Sequence, residues 1–163
     1  MLVDACGPCH RAHRRNGGFT IIEILFVIAL LAILSSLAAP SFRDFVASQR
    51  IRAASADLSA ALMLARAEAV KRNTSVVVSP QTGGWINGWT IASGTTSVAQ
   101  HEALADLAIV GPTGSITYTA NGRVSAAVTR FAISSTLTAA AAARCVRIDL
   151  TGMTAAYSGT GCP

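Results

Sequence analysis

The chain has little with which to do catalysis. Three histidines occur in 163 residues, and only His101 lies beyond residue 13. Beyond residue 18 no Ser-His-Asp spacing, no metal-ligand cluster and no phosphate-cradling glycine loop can be defended, so no enzyme, metal or cofactor is expected. Strong charge is missing too. Thirteen Lys and Arg against 8 Asp and Glu leave +5, too mild to imply a nucleic-acid partner by itself. The most telling scarcity is local: from Phe19 to Ala39, Glu23 is the one ionisable side chain.

At helical rise that run spans roughly 30 Å, about one hydrocarbon core. Arg11, Arg14 and Arg15 precede it with no acidic residue between them and Phe19, so the positive-inside rule places the N-terminus in the cytoplasm and everything after Pro40 outside. An ordinary secretory signal with Ser36-Leu37-Ala38 as its cleavage site is the rival reading. Two features oppose it. Glu23 interrupts the apolar segment at a cost of up to about 3 kcal/mol, and the helical pattern continues past Pro40.

Gly18-Phe19-Thr20-Ile21-Ile22-Glu23, preceded by basic residues and followed by the apolar run, resembles the class III leader junction of type IV pilins and type II secretion pseudopilins. The resemblance implies cleavage between Gly18 and Phe19 by a prepilin peptidase, N-methylation of Phe19, and assembly with other pilins or pseudopilins into a filament. It also gives Glu23 a partner: the new amine of Phe19 on an adjacent subunit, since a pair is desolvated more cheaply than a lone charge. Thr20-Ile21-Ile22-Glu23 fits a capping box as well, in which the glutamate returns a hydrogen bond to the helix start. Both roles can hold at once.

Cleavage at Gly18 would remove Cys6-Gly7-Pro8-Cys9-His10, which otherwise reads as a redox or haem-attachment motif, with His13 adding a zinc reading. No βαβ pattern surrounds it, and an incidental leader sequence is the preferred reading. Without residues 1–18 the chain keeps 10 of its 13 basic and 7 of its 8 acidic residues, +3 net. Cys145 and Cys162 would face an oxidising compartment, where an even pair is normally bridged. Closing that loop is worth about 3 kcal/mol in the chain-entropy model. A reactive thiol pair lacks the spacing or basic surroundings to support it.

From Ser41 to about Arg72, Phe42, Phe45, Val46, Ala53, Ala54, Leu58, Ala61, Leu62, Ala65 and Ala69 recur at helical spacing, predicting an amphipathic helix with an alanine-rich face. Pro40 is expected to kink or unwind the junction before it, and Asn73 offers a stop. Seven strands are predicted beyond Thr74: 75–79, 85–91, 107–110, 116–120, 128–134, 145–150 and 153–157. Asn87-Gly88 and Asn121-Gly122 read as turns, and the alanine run 139–143 as a loop without a role. The expected fold class is α+β: a long N-terminal helix, transmembrane in its first half, packed on an antiparallel sheet or small β-sandwich head.

Gly84-Trp85-Ile86-Asn87-Gly88-Trp89, the segment from Ala65 to Asn73 and Asn121-Gly122-Arg123 are similar to the FimT/FimU and GspH branch of minor pilins and pseudopilins. The resemblance implies a structural subunit that helps initiate or cap a type IV pilus or a type II secretion pseudopilus, with no choice between them. Its expected parts are a leader at 1–18, a membrane and filament helix at 19–73 and a periplasmic β-rich head at 74–163. It would cross the bacterial inner membrane once, among its lipids. Trp85 and Trp89 are expected in the core, although exposed aromatics can stack on single-stranded nucleic acid.

DNA uptake is the alternative role. Some FimT-type proteins bind DNA through a C-terminal Gly-Arg-x-Arg motif, and here the comparable residues are Gly152-Met153-Thr154-Ala155. Arg123, Arg130, Arg144 and Arg147 would form a phosphate-binding patch if their strands are adjacent. A solvated basic face is the preferred reading. His101, beside Glu102, is expected in a surface loop.

Overall fold

The computed structural model describes residues 18–125, 129–159 and 161. The Cys6-to-His10 motif, His13, Arg11, Arg14, Arg15 and Cys162 lie outside the described residues. The chain divides into two compact units, Met1–Ala38 and Ala39–Pro163, and helix α1 (Ile21–Arg72) contributes to both. Its C-terminus ends as the sequence suggests. Asn73 takes a left-handed conformation with φ 49°, a cap position that asparagine tolerates, and the amides of Asn73 and Thr74 donate back to Val70 and Ala69 at 3.2 Å each. Lys71 and Arg72 add positive charge where the helix dipole is negative.

In the second unit one stripe of α1 is buried: Ala47, Ile51, Ala54, Leu58, Leu62, Ala65 and Ala69, each 1 % exposed or less. The spacing of three and four is the expected one, but the phase differs at the start. Phe42 and Phe45 are 66 % and 58 % exposed and Ala53 is exposed, whereas Ala47 and Ile51 are buried. The stripe that leads back from Leu58 runs through Ala54, Ile51 and Ala47, and size does not override angle on a helix.

Among the described residues the remainder forms eight strands: β1 (Val76–Gln81), β2 (Gly84–Ser93), β3 (Thr96–His101), β4 (Leu107–Val110), β5 (Ile116–Tyr118), β6 (Thr129–Ser135), β7 (Arg144–Ile148) and β8 (Thr154–Ser158). They make two four-stranded sheets, ordered β3-β2-β1-β5 and β4-β6-β7-β8, with antiparallel pairing throughout. Alternation decides which side of each strand is buried. Val76 and Val78 on β1, Ile116 and Tyr118 on β5, Phe131 and Ile133 on β6, and Val146 and Ile148 on β7 join the α1 stripe in one core.

Two expectations about this region are corrected. Strand β3 was not predicted, because Thr96-Ser97-Val98-Ala99-Gln100-His101 is a polar edge strand whose outer end is exposed. Asn87-Gly88 is not a turn between strands but lies inside β2. There the register to β1 jumps from Pro80–Trp89 to Gln81–Gly84, and a Cβ at Gly88 (φ 99°) would stand 2.1 Å from the His101 carbonyl, so only glycine fits the irregularity. Asn121-Gly122 is a turn, with the Gly122 amide donating to Thr119 at 2.8 Å.

Tyr118 is fully buried, and its hydroxyl has no hydrogen-bond partner among the described residues. Burial pushes its pKa up to about 12, opposed by the charge of Arg66 and reinforced by that of Asp149. An unfolded tyrosine ionises near pH 10. Between roughly pH 10 and 12 the unfolded chain therefore holds fewer protons than the folded one, and stability falls as pH rises. Tyr118→Phe is expected to remove that slope and, because a buried unsatisfied hydroxyl costs about 1–3 kcal/mol, to match or exceed the parent at pH 7. Urea unfolding of the detergent-solubilised chain at pH 7 and pH 11 measures both effects; equal slopes for the two proteins would reject the account.

Candidate functional site

Gly18 to Thr20 precede the helix, and Thr20 caps it. Its hydroxyl accepts from the Glu23 amide at 3.3 Å, and its carbonyl from the Ile24 amide at 3.2 Å. This is half of the expected capping box. The other half, from the Glu23 carboxylate back to the Thr20 amide, is absent among the described residues, and the Glu23 side chain makes no other bond there. Thr20 alone therefore satisfies the cap.

Around Glu23 the helix is apolar and bare. Phe19, Ile21, Ile22, Leu25, Phe26, Ile28, Leu31 and Leu34 are all more than half exposed, and exposure runs round the whole circumference. A helix that is apolar on every side belongs inside lipid or a bundle of other helices. By length and composition α1 is a candidate membrane span only when Ile21–Ser36 and Ser41–Arg72 are taken together; neither segment alone is long and apolar enough.

In the second unit the four arginines considered for nucleic acid do not share one face. Arg130 and Arg147 stand directly opposite each other in the β6–β7 ladder, on the outer side, because Phe131, Val146 and Ile148 between them are buried. Arg144 has the parity of Val146 and Ile148 and lies on the helix side, where it lines a cleft with Ser48 and Arg52 of α1. Arg123 is exposed in the turn after β5, in the other sheet. Sequence alternation brought Arg130 and Arg147 together but could not separate Arg144 from them, since β7 begins one residue earlier than expected.

The turn from β7 to β8 is acidic at its centre. Asp149 accepts from the Thr151 hydroxyl and amide and from the Met153 amide. The Thr151 hydroxyl is the main reason its carboxyl is held below the usual range, with Arg147 adding a smaller Coulombic effect. Gly152 (φ 80°) packs against the Gly122 carbonyl, 2.2 Å from where a Cβ would be, and Arg66 of α1 donates to that same carbonyl at 3.1 Å. Helix, β5 turn and β7–β8 turn are thus tied at one point.

Neither tryptophan is a stacking platform. Trp85 is buried, donates to the Pro112 carbonyl at 2.8 Å and meets Phe131 edge-on at 4.8 Å. Trp89 is buried beneath the ring of His101, stacked at 4.2 Å. His101 is consequently not in a surface loop: it ends β3, half-buried, 3.6 Å from Asp57 of α1. Among the described residues no group of three or more His, Cys, Asp or Glu is arranged to hold a metal.

Residues 54–152 match the family described as Type II transport protein GspH. The chain belongs to the GspH family. Residues 13–39 of this GspH-family chain match the prokaryotic N-terminal methylation motif, which spans the Gly18–Phe19 junction. The type IV major alpha-pilin of Moraxella bovis is 26 % identical over 94 residues, 58 % of this chain and 59 % of that protein, so the chain spans about 59 % of that curated relative's length. The minor pilin FimU of Pseudomonas aeruginosa has the same fold, with a TM-score of 0.62 at 23 % identity over 73 % of this chain and 96 % of FimU. The minor pseudopilin EpsH of the Vibrio cholerae type 2 secretion system gives 0.53 at 12 % identity over 67 % and 97 %. The GspH-family chain has the pilin-like arrangement: a long N-terminal helix and antiparallel sheets.

With its arginines divided between faces and Asp149 at the β7–β8 turn, the protein is expected to bind DNA weakly and without saturation at physiological salt. Titration of labelled DNA into wild type and an Arg130→Ala/Arg147→Ala variant decides this. Micromolar or tighter binding that the double substitution abolishes would make the outer face of the second sheet a DNA receptor.

Proposed function

We propose that this GspH-family chain is a minor structural subunit of a pilin-type filament, of the type IV pilus or type II secretion kind. It is made as a membrane-anchored precursor with residues 1–18 as leader. One observation carries the reading: an apolar helix exposed on all sides from Phe19 to Leu34, holding a carboxylate without a partner among the described residues. Such a surface has no stable place in water. Inner-membrane lipid covers it before assembly and the helices of other pilins cover it afterwards.

In this reading a prepilin peptidase cuts between Gly18 and Phe19 on the cytoplasmic side and Phe19 is N-methylated. The freed amine, still positively charged, meets Glu23 of a neighbouring subunit in the filament core. The head is periplasmic, and its last strand is stapled by a bridge from Cys145 to Cys162. Cys145 is buried and disulfide-bonded, and Cys162 is the one other cysteine after the leader.

Intact mass and N-terminal sequencing of native protein are expected to give Phe19 as the first residue. A mature N-terminus at Ala39, or an uncleaved chain that still enters filaments, would overturn the precursor reading. Glu23→Gln keeps the Thr20 cap and the side chain's size but no charge, so membrane insertion is expected to be unchanged and incorporation into sheared filaments to fall at least several-fold. Incorporation equal to wild type would show that the charge pair has no part in assembly.

A further inference from the structure

We propose that the cleft between α1 and the β7–β8 edge binds one small oxyanion, a carboxylate or a phosphate-type group. The cleft holds about 60 Å³ and is lined by Ser48, Arg52, Ala142, Ala143, Arg144 and Ser158. Among the described residues, two guanidinium side chains and no carboxylate border it. The Nε of Arg144 is buried without a hydrogen-bond partner among the described residues, and Arg52, exposed on α1, has no acidic partner there either. A buried, charged donor left unpaired is costly, and two like charges beside one small space repel. An anion removes both penalties together.

The nearest acidic side chain on this stretch of α1 is Asp44, one turn before Ser48, and it is already engaged. Its carboxylate accepts from the Thr138 hydroxyl at 2.7 Å, and its carbonyl from the Ser48 hydroxyl at 2.8 Å. The Ser48 proton is therefore spent within the helix, and Ser158, opposite Arg144 in the β7–β8 ladder, is the hydroxyl free to donate. The planar guanidinium fork matches the oxygens of carboxylate or phosphate, which a lysine ammonium does not. A cleft this small admits one such group. A nucleotide or a nucleic-acid strand does not fit inside it.

The position of the cleft separates it from the surface considered for DNA. Arg130 and Arg147 point away from α1 on the outer side of the same sheet, so substituting them removes two positive charges and leaves the cleft intact. They supply the control for non-specific electrostatics.

The test uses the full chain in detergent, titrated at constant ionic strength with inorganic phosphate and, separately, with acetate. Thermal midpoint and the arginine Nε–H resonances in 15N-labelled protein are the readouts. A saturable response is expected, centred on the Arg144 resonance. Arg52→Gln and Arg144→Gln are each expected to weaken it by roughly tenfold or more, while Arg130→Ala/Arg147→Ala leaves it unchanged. Preference for phosphate identifies a free phosphate-type ion as the source. Equal or stronger response to acetate identifies a carboxylate, such as an acidic side chain of an adjoining subunit. Arg52 is exposed, so Arg52→Gln remains folded even where Arg144→Gln does not. A response that fails to saturate, that survives Arg52→Gln, or that falls equally in the Arg130→Ala/Arg147→Ala control overturns the proposal.

Discussion

The burial of one stripe of α1 in the core it shares with both sheets is the constraint on which the rest of the second unit depends. Ala47, Ala54, Ala65 and Ala69 are buried with Ile51, Leu58 and Leu62 in one cluster with residues of both sheets. Each of the three large side chains is fully buried, worth about 1.5–3 kcal/mol apiece by transfer. The alanines matter by what they leave out. A larger side chain at Ala65 or Ala69, both fully buried, would have to displace its neighbours, and interiors packed to crystal density absorb little of that.

Polar contacts from the helix to the rest of the unit accompany that burial. The Arg66 guanidinium reaches the Gly122 carbonyl, and Gly152 closes over the same carbonyl because neither turn carries a side chain there. Arg50 pairs with Asp106, Thr138 with Asp44, and His101 lies between Trp89 and Asp57. None of these contacts is strong alone, since exposed pairs are worth at most about 1 kcal/mol. Spread along the helix, they fix its rotation over an apolar stripe that by itself would tolerate sliding.

What the sequence disclosed follows from the range of the interaction involved. The helix stop at Asn73 and the turn at Gly122 are set by residues a few positions apart, and both could be read in order along the chain. The strand positions followed from alternation, and β4 was placed to the residue. Contacts between distant segments were not legible. Ala47 and Ile51 looked less promising than Phe42 and Phe45 until the helix had a fixed phase. Gly88 looked like a turn because its neighbour His101 belongs to β3, a strand too polar to be recognised. Arg144 could not be separated from Arg147 because the predicted strand began at Cys145; once β7 starts at Arg144, three residues of separation put the two on opposite faces. Its cleft also needs Ser48 and Arg52, which lie far away in sequence.

Glu23 shows how a local account can be sufficient for one property and still leave the residue unexplained. The capping box gives the carboxylate a purpose, but the helix start is already satisfied by Thr20, whose hydroxyl and carbonyl take the Glu23 and Ile24 amides. Glutamine or alanine at position 23 would keep both bonds, because both donors are backbone groups. The charge itself therefore adds nothing that the cap requires beyond a favourable dipole term of about 0.3–1 kcal/mol. Against that stands a penalty of up to about 3 kcal/mol for a carboxylate in an apolar span, smaller near the interface. A single chain in a membrane would be better off without it. The balance reverses only when a cation is brought to the same depth, and in the filament function proposed above that cation is the amine of Phe19 on an adjoining chain, freed by cutting after Gly18.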